Sequence, residues 1–345
     1  MKHWPRPLWH CLLLLLLTAC AAPSPEPEQD HTFRLAAHTL FLDEPIAKLA
    51  VEAGFDTIIQ VFPWRDLNPQ PDVYAWQAAD DMVAVAQKNR LDLVVRLDMP
   101  PFWATRADPA DLPFDLNAYL DFIEAIATRY QGRILGYIIW NEPNLAVEWG
   151  GWVAEPKQYV EVLCQAFTHI REIDPQARVI AAGLAPTNEF SYRAMDDRAF
   201  LQQMLRHDAG RCFDVLSAHD YGYGLPPDDA HDAHGGLNLA RLIDLREILL
   251  EADAPHPIWI TELGYTIQPG LHPHVSADDQ ANYLLGSFER VRAEWPWVEM
   301  FTVWNLSYTG GDEEMQGFSV INTDQTPRPA FQRIADMRRQ LSPNR

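Results

Sequence analysis

The sequence predicts a single α/β domain closed as an eight-stranded parallel barrel with a helix following each strand. Two observations carry this reading. Eight short apolar runs alternate with longer helical patterns from Thr32 onward, the count a (β/α)8 TIM barrel requires. The chain's 345 residues also suit one such barrel, and no internal Pro/Gly linker divides two cores. A doubly wound open sheet would call for a Gly-rich phosphate loop after an early strand, and none is present.

Taken in order, strands are expected at residues 33–40, 57–62, 91–97, 134–141, 178–183, 213–219, 258–262 and 300–305. Each is short and apolar, as strands buried on both faces are. Helical patterns fall between them, among others at 76–88, 116–130, 156–173, 197–207, 239–252, 277–294 and 329–341. Several have clear starts: Asp115 before Leu116, Pro156 in a first turn, and Ser276-Ala-Asp-Asp. Two long irregular segments, 222–238 and 306–329, follow the sixth and eighth strands. Loops in those places lie on the face where barrel enzymes carry their chemistry.

The first thirty residues read as a targeting segment. Lys2 and Arg6 form a basic start, Leu12 to Leu17 an apolar core too short to span a bilayer, and Leu17-Thr-Ala-Cys20 follows at once. That tetrapeptide resembles the lipobox of bacterial lipoproteins. The resemblance implies cleavage after residue 19, a lipid on the Cys20 thiol and a domain held at the membrane of the cell envelope. The other reading is an ordinary signal peptide cut near Ala22. Residues 20–30 then form a Pro-rich tether and 31–345 the barrel.

Cys11 leaves with the signal, so Cys164 and Cys212 remain in the folded domain, either as a disulfide or as two unpaired buried thiols. No CxxC or other metal-type cysteine spacing occurs. Formal charge is −21, and removal of residues 1–19 takes two cations and no acid, leaving −23. Such a surface disfavours nucleic acid and anionic lipid and suits a neutral substrate. The 12 Trp are an excess that fits flat platforms for sugar rings, although core packing accounts for many Trp in any protein.

Two glutamates end apolar runs. Glu142 follows Gly136-Tyr-Ile-Ile-Trp-Asn, and Glu262 follows Pro257-Ile-Trp-Ile-Thr. The interval of 120 residues is three repeats of 40, which places them on the fourth and seventh strands, facing one mouth. A carboxylic acid and a carboxylate across a cleft are the equipment for cleaving a glycosidic bond. Pro143 should stop the strand and hold Glu142 extended. Trp140, Trp149 and Trp152 are candidates to desolvate it, and Asn141 to bond a sugar hydroxyl. Double displacement between two carboxylates needs no cofactor.

Trp140-Asn141-Glu142-Pro143-Asn144 together with Thr261-Glu262 resembles the signature of glycoside hydrolase clan A, the retaining (β/α)8 glycosidases. The likeness is nearest to family 39, with families 5 and 42 as neighbours. It extends along the barrel: Trp64-Arg-Asp-Leu-Asn-Pro with Tyr74-Ala-Trp76 resembles the second-strand segment, and Pro101-Phe-Trp103-Ala the end of the third. Trp304 resembles the eighth-strand Trp, and Pro327-Arg-Pro-Ala-Phe331 the start of the final helix. The resemblance implies Glu142 as acid/base, Glu262 as nucleophile, and Asn141 as partner of the hydroxyl beside the reacting carbon. It also implies an oligo- or polysaccharide substrate, with Trp64, Trp103 and Trp304 among its contacts. His219 and Tyr221 resemble the strand-six pair; their i, i+2 spacing puts them on one face, and Tyr221 can donate to Glu262 and keep it ionised. Glu262 precedes Leu-Gly-Tyr where typical family 39 xylosidases carry Trp-Asn, a departure that bears on subfamily and substrate. Arg96 and Asp98 alternate into one side of the third strand, as an internal ion pair or as substrate contacts.

Two other function classes compete. One is a carbohydrate-binding lipoprotein that keeps the barrel without turnover. The other is a metal-dependent barrel hydrolase, using His231, Asp232 and His234 with Asp228 and Asp229. That cluster sits in a loop and forms neither HxH nor HExxH, so no metal ligands are assigned.

Overall fold

The computed structural model describes residues 1, 3, 33–106, 108, 112–153 and 155–341. Apart from Met1 and His3, the expected signal segment, Cys20 and the tether lie outside the described residues. Phe33 opens the compact unit that holds the barrel.

In chain order the elements are β1 (Arg34–Thr39), α1 (Glu44–Ala53), β2 (Thr57–Val61), α2 (Trp64–Leu67), α3 (Gln77–Lys88), β3 (Asp92–Leu97), α4 (Leu116–Arg129) and β4 (Gly136–Ile139). They continue as α5 (Pro156–Ile173), β5 (Arg178–Leu184), α6 (Asp197–Arg206), β6 (Val215–His219), α7 (Arg241–Glu251), β7 (Ile258–Leu263), α8 (Ala277–Glu294), β8 (Val298–Ser307), α9 (Glu313–Gly317) and α10 (Pro329–Leu341). The eight strands pair in sequence order, all parallel, and β8 closes on β1, so the barrel has no free edge.

The expected helix starts are observed. Asp115 accepts from the Ala118 N–H, Ser276 accepts from Asp279, and Pro156 occupies the first turn of α5. The helix α1 is not among the stretches anticipated from sequence, although its frame is there. Asp43 accepts from Ile46, Pro45 lies in its first turn, and Gly54 takes the left-handed conformation that ends it. The α2 turn and α9 interrupt loops and are too short to carry a periodic signal.

Two apolar layers hold the barrel. Ala36, Ile59, Val94, Ile138, Ile180, Val215, Trp259 and Met300, one from each strand, fill the interior. The larger layer lies between the strands and the surrounding helices. Cys164 of α5 and Cys212, just before β6, form a disulfide, the first of the two readings left open.

Candidate active site

Strand register decides which side chains reach the mouth. Side chains on a strand alternate, so counting by two from inward Ala36, Val94, Val215 and Met300 gives His38, Arg96, His219 and Trp304. The strand β7 breaks this count. Trp259 is inward and Thr261 bonds Ser217, so parity alone would turn Glu262 away. Between β6 and β7 the register passes from Ala218↔Ile260 to His219↔Glu262, two residues of β7 against one of β6. This bulge brings Glu262 level with His219, with only 6% of its surface exposed.

Glu142 is positioned differently from expectation. The strand β4 ends at Ile139, and both Trp140 (φ 75°) and Glu142 (φ 37°) adopt left-handed backbone. Glu142 is therefore not held extended by Pro143. Its N–H donates to the Gly183 carbonyl at 3.0 Å, which fixes a conformation costing on the order of 1–3 kcal/mol in isolation. Glycine is needed at 183, because a Cβ there would lie 2.2 Å from the His219 ring.

The two glutamates meet through shared partners. His219 Nδ1 lies 2.7 Å from a Glu142 oxygen and 3.7 Å from a Glu262 oxygen. One oxygen of each glutamate and a His219 nitrogen all fall within 4.8 Å of one another. Tyr221 donates its hydroxyl to Glu262 Oε2 at 2.5 Å. Arg96 donates to Glu262 Oε1 and to Asn141 Oδ1, each at 2.8 Å, and its Nε sits 2.9 Å from Asp98. Both readings of Arg96 thus hold in part: it is an ion-pair partner of Asp98, and it also lines the cleft. His38 Nε2 approaches Glu262 Oε1 to 3.8 Å.

These contacts keep Glu262 ionised. Burial favours the protonated form of Glu262, but His219, Arg96, His38 and the Tyr221 hydrogen bond outweigh it and hold the carboxyl below its ordinary range. Burial pushes His38 down to about 3, so it stays neutral. His219 shifts upward: its burial is outweighed by Glu262 and Glu142. Burial and the neighbouring Glu262 raise Tyr221 well above its usual value, so it remains a donor. Burial and then Glu142 raise Glu148.

Arg96, Asn141, Glu142, Tyr221, Glu262 and Trp304 line a cleft of about 470 Å³, with His219 buried beneath. Tyr221, Trp304 and Phe318 pack edge to face and form its aromatic wall. Two expected sugar contacts are corrected. Trp64 is fully buried among Trp103, Phe114, Tyr119 and Phe122, and its indole N–H is satisfied by Asn68. A side chain so buried contributes about 3–5 kcal/mol to folding and offers no face to a ligand. Trp103 is half-buried against it, donates to the Asn68 carbonyl, and does not line the cleft. Trp140 likewise stacks on Phe114 in the core, and Trp149 meets the same ring edge to face. The aromatic wall of the cleft comes instead from β8 and from the loops after β6 and β8.

Sequence reasoning missed His38, Glu148, Tyr223, His272 and Phe318. His38 had a signal, a polar residue at the end of an apolar strand. The others sit in loops whose course no periodicity encodes. The two long loops are at the cleft as expected, one supplying Tyr223 and the other Met315 and Phe318.

The loop histidines do not converge. His231 bonds Asp244 of α7 at 2.6 Å, and His234 lies 3.7 Å from Asp229. Among the described residues, Glu142, His219 and Glu262 are the group with cation-binding spacing. The Arg96 guanidinium already provides a fixed positive charge there, against Glu262.

Residues 31–292 match the family model described as Cellulase (glycosyl hydrolase family 5). Among solved structures, a family 39 glycoside hydrolase from the gut symbiont Bacteroides cellulosilyticus WH2 superposes with a TM-score of 0.72 at 18% identity, over 90% of this chain and 64% of that one. This chain therefore spans slightly less than two thirds of that protein. A family 5 enzyme from Streptomyces cattleya, solved with Manb1-4GlcNAc, gives 0.68 at 16% identity, over 91% of this chain and 82% of the other. Xylanase 10B from Thermotoga maritima gives 0.63 at 16%, over 91% and 97%. Likeness at these identities is one of fold. A comparison with curated protein sequences gives no match. The matching model is thus that of one of the two neighbouring families, while family 39 appears among the structural likenesses.

Proposed function

The chain belongs to the cellulase family, glycosyl hydrolase family 5, and from that premise we propose that it cleaves β-linked saccharides with retention of configuration. The observation that carries this reading is the approach of Glu142 and Glu262 oxygens to within 4.8 Å. Retaining pairs stand about 5–5.5 Å apart, whereas inverting pairs leave about 6.5–9.5 Å for a water. Glu262, kept ionised by Arg96, His219 and Tyr221, attacks the anomeric carbon as the bond to the leaving oxygen breaks. Glu142 donates its proton to that oxygen. Water then enters, Glu142 removes its proton, and attack on the anomeric carbon frees Glu262. Asn141, fixed by Arg96, is placed to bond the hydroxyl beside the reacting carbon. Trp304 offers a partly exposed ring to the sugar.

Turnover of a panel of aryl β-glycosides and neutral polysaccharides, with the first-formed anomer read by NMR, tests this. The β-anomer is expected. An α-anomer would reject retention, and no turnover across the panel would favour the carbohydrate-binding reading.

Tyr221→Phe isolates one link. The variant loses a hydrogen bond to the ionised form of Glu262, so the depressed pKa of that group rises. The acid limb of kcat/KM reports the fraction of ionised nucleophile, so it should move to higher pH, with the alkaline limb less affected. An unmoved acid limb would show that this bond does not tune Glu262.

We also propose that lipid on Cys20 anchors the domain to an envelope membrane. Support comes from Lys2, Arg6, the Leu12 to Leu17 run and Leu17-Thr-Ala-Cys20. The Cys164–Cys212 disulfide suits an oxidising compartment. Among the described residues no helix is long and apolar enough to cross a membrane. Cys20→Ala should shift the protein from the membrane to the soluble fraction, and unchanged fractionation would reject the anchor.

A further inference from the structure

The loop after β7 carries a histidine that the proposed reaction leaves unused. His272 lines the cleft beside Trp304, Met315 and Phe318. Its Nδ1 lies 2.8 Å from Glu314 Oε1, and the same oxygen accepts from the His272 backbone N–H at 2.6 Å. Glu314 Oε2 accepts from the Leu271 N–H at 2.9 Å. One carboxylate of α9 therefore fixes both the backbone and the ring of this residue.

The seat around that carboxylate is closely built. Thr266 donates its hydroxyl to the Glu314 carbonyl at 3.0 Å, and the Ile267 N–H donates to the Gly317 carbonyl at 3.2 Å. The far end of the loop returns to the same place, where the Val275 N–H donates to the Thr266 carbonyl at 2.9 Å. Glycine is needed at 270, because a Cβ there would lie 2.1 Å from the Glu314 carboxyl carbon. On its other contact the His272 ring meets Phe318 edge to face, with centroids 5.9 Å apart.

This arrangement sets the chemistry of the ring. Burial favours the neutral form of Glu314, but the His272 and Leu271 N–H groups and the His272 ring outweigh it and hold the carboxyl below its ordinary range. An ionised carboxylate only accepts, so Nδ1 carries the proton in that bond. Nε2 makes no hydrogen bond among the described residues, and the side chain is 40% exposed. In the neutral ring that nitrogen holds a lone pair.

We propose that His272 is a specificity-determining residue whose Nε2 accepts a hydrogen bond from one hydroxyl of the sugar unit that becomes bonded to Glu262. This rests on the proposed glycosidase reading. His272 belongs to the loop that follows β7, the strand of Glu262, and shares a wall with Trp304. An anionic group is disfavoured beside Glu314, whereas a neutral hydroxyl satisfies the lone pair without adding charge. A site built to bond a hydroxyl rejects the analogue that lacks it, so the residue acts through discrimination among sugars.

The test takes the aryl β-glycoside that the parent turns over fastest, with its monodeoxy analogues at every position except the one beside the reacting carbon. In the parent, loss of one particular hydroxyl should cost about tenfold in kcat/KM. His272→Phe keeps a ring against Phe318 and removes Nε2. It should cost about tenfold on the full substrate and nothing further on that one analogue. His272→Gln, which returns a polar group near the place of Nε2, should restore part of the discrimination. The proposal is overturned if the parent and His272→Phe discriminate equally among all the analogues, whether or not the variant is slower throughout. Absence of turnover by the parent on every aryl glycoside and polysaccharide would instead reject the glycosidase reading, and this proposal with it.

Discussion

Glu262→Gln should abolish turnover, by on the order of 10⁵-fold in kcat, while the fold is retained. The amide keeps the shape of the side chain and can still accept from Tyr221, but it cannot attack the anomeric carbon. The folded state should survive because the polar groups around the lost charge keep other contacts. Arg96 keeps Asp98 and Asn141, and His219 keeps Glu142. Near-parent turnover of an activated aryl glycoside, measured beside an unchanged circular dichroism spectrum, would remove Glu262 from the nucleophile's role.

Glu142→Ala should behave in a way that no other substitution in the cleft reproduces. Substrates with poor leaving groups need the proton and should lose about 10³-fold or more in kcat/KM. Aryl glycosides with acidic phenols need little protonation, so their first step should survive and the glycosyl-enzyme should accumulate. Removing the side chain also opens space beside Glu262, where azide can enter without being deprotonated. Azide should therefore restore turnover and yield a β-glycosyl azide. The check is product analysis with and without azide, and the absence of both rescue and azide product would reject Glu142 as the acid/base.

Most of the barrel was legible because its signals are local. Every strand is a short apolar run, and Asp115, Pro156 and Ser276 mark helix starts by their own hydrogen-bonding chemistry. That Glu142 and Glu262 face one cleft was legible from residue type and strand position. What stayed hidden depends on geometry beyond the pattern. The left-handed backbone at Glu142 is imposed by its bond to Gly183, forty-one residues away in sequence, and overrides the extended bias of a residue before proline. The inward turn of Glu262 comes from a bulge that strand parity cannot foresee. Trp64 and Trp103 were misassigned because a Trp near a barrel mouth gives the same sequence signal whether it faces the cleft or the core. Arg96 shows the reverse case. An arginine in an apolar strand reads as an ion-pair partner or a cleft residue from sequence, and its contacts make it both, joining Asp98, Asn141 and Glu262.

The central claim is that Glu262 forms a covalent bond to the sugar while Glu142 handles the proton. Mass spectrometry of the enzyme after incubation with a 2-fluoro aryl β-glycoside tests it most directly, since fluorine slows the second step and traps the intermediate. The account predicts one added glycosyl unit, mapped by peptide digestion to Glu262 in Ile258–Leu263. A label on Glu142 or elsewhere, or turnover with no covalent adduct and an inverted product, would contradict it.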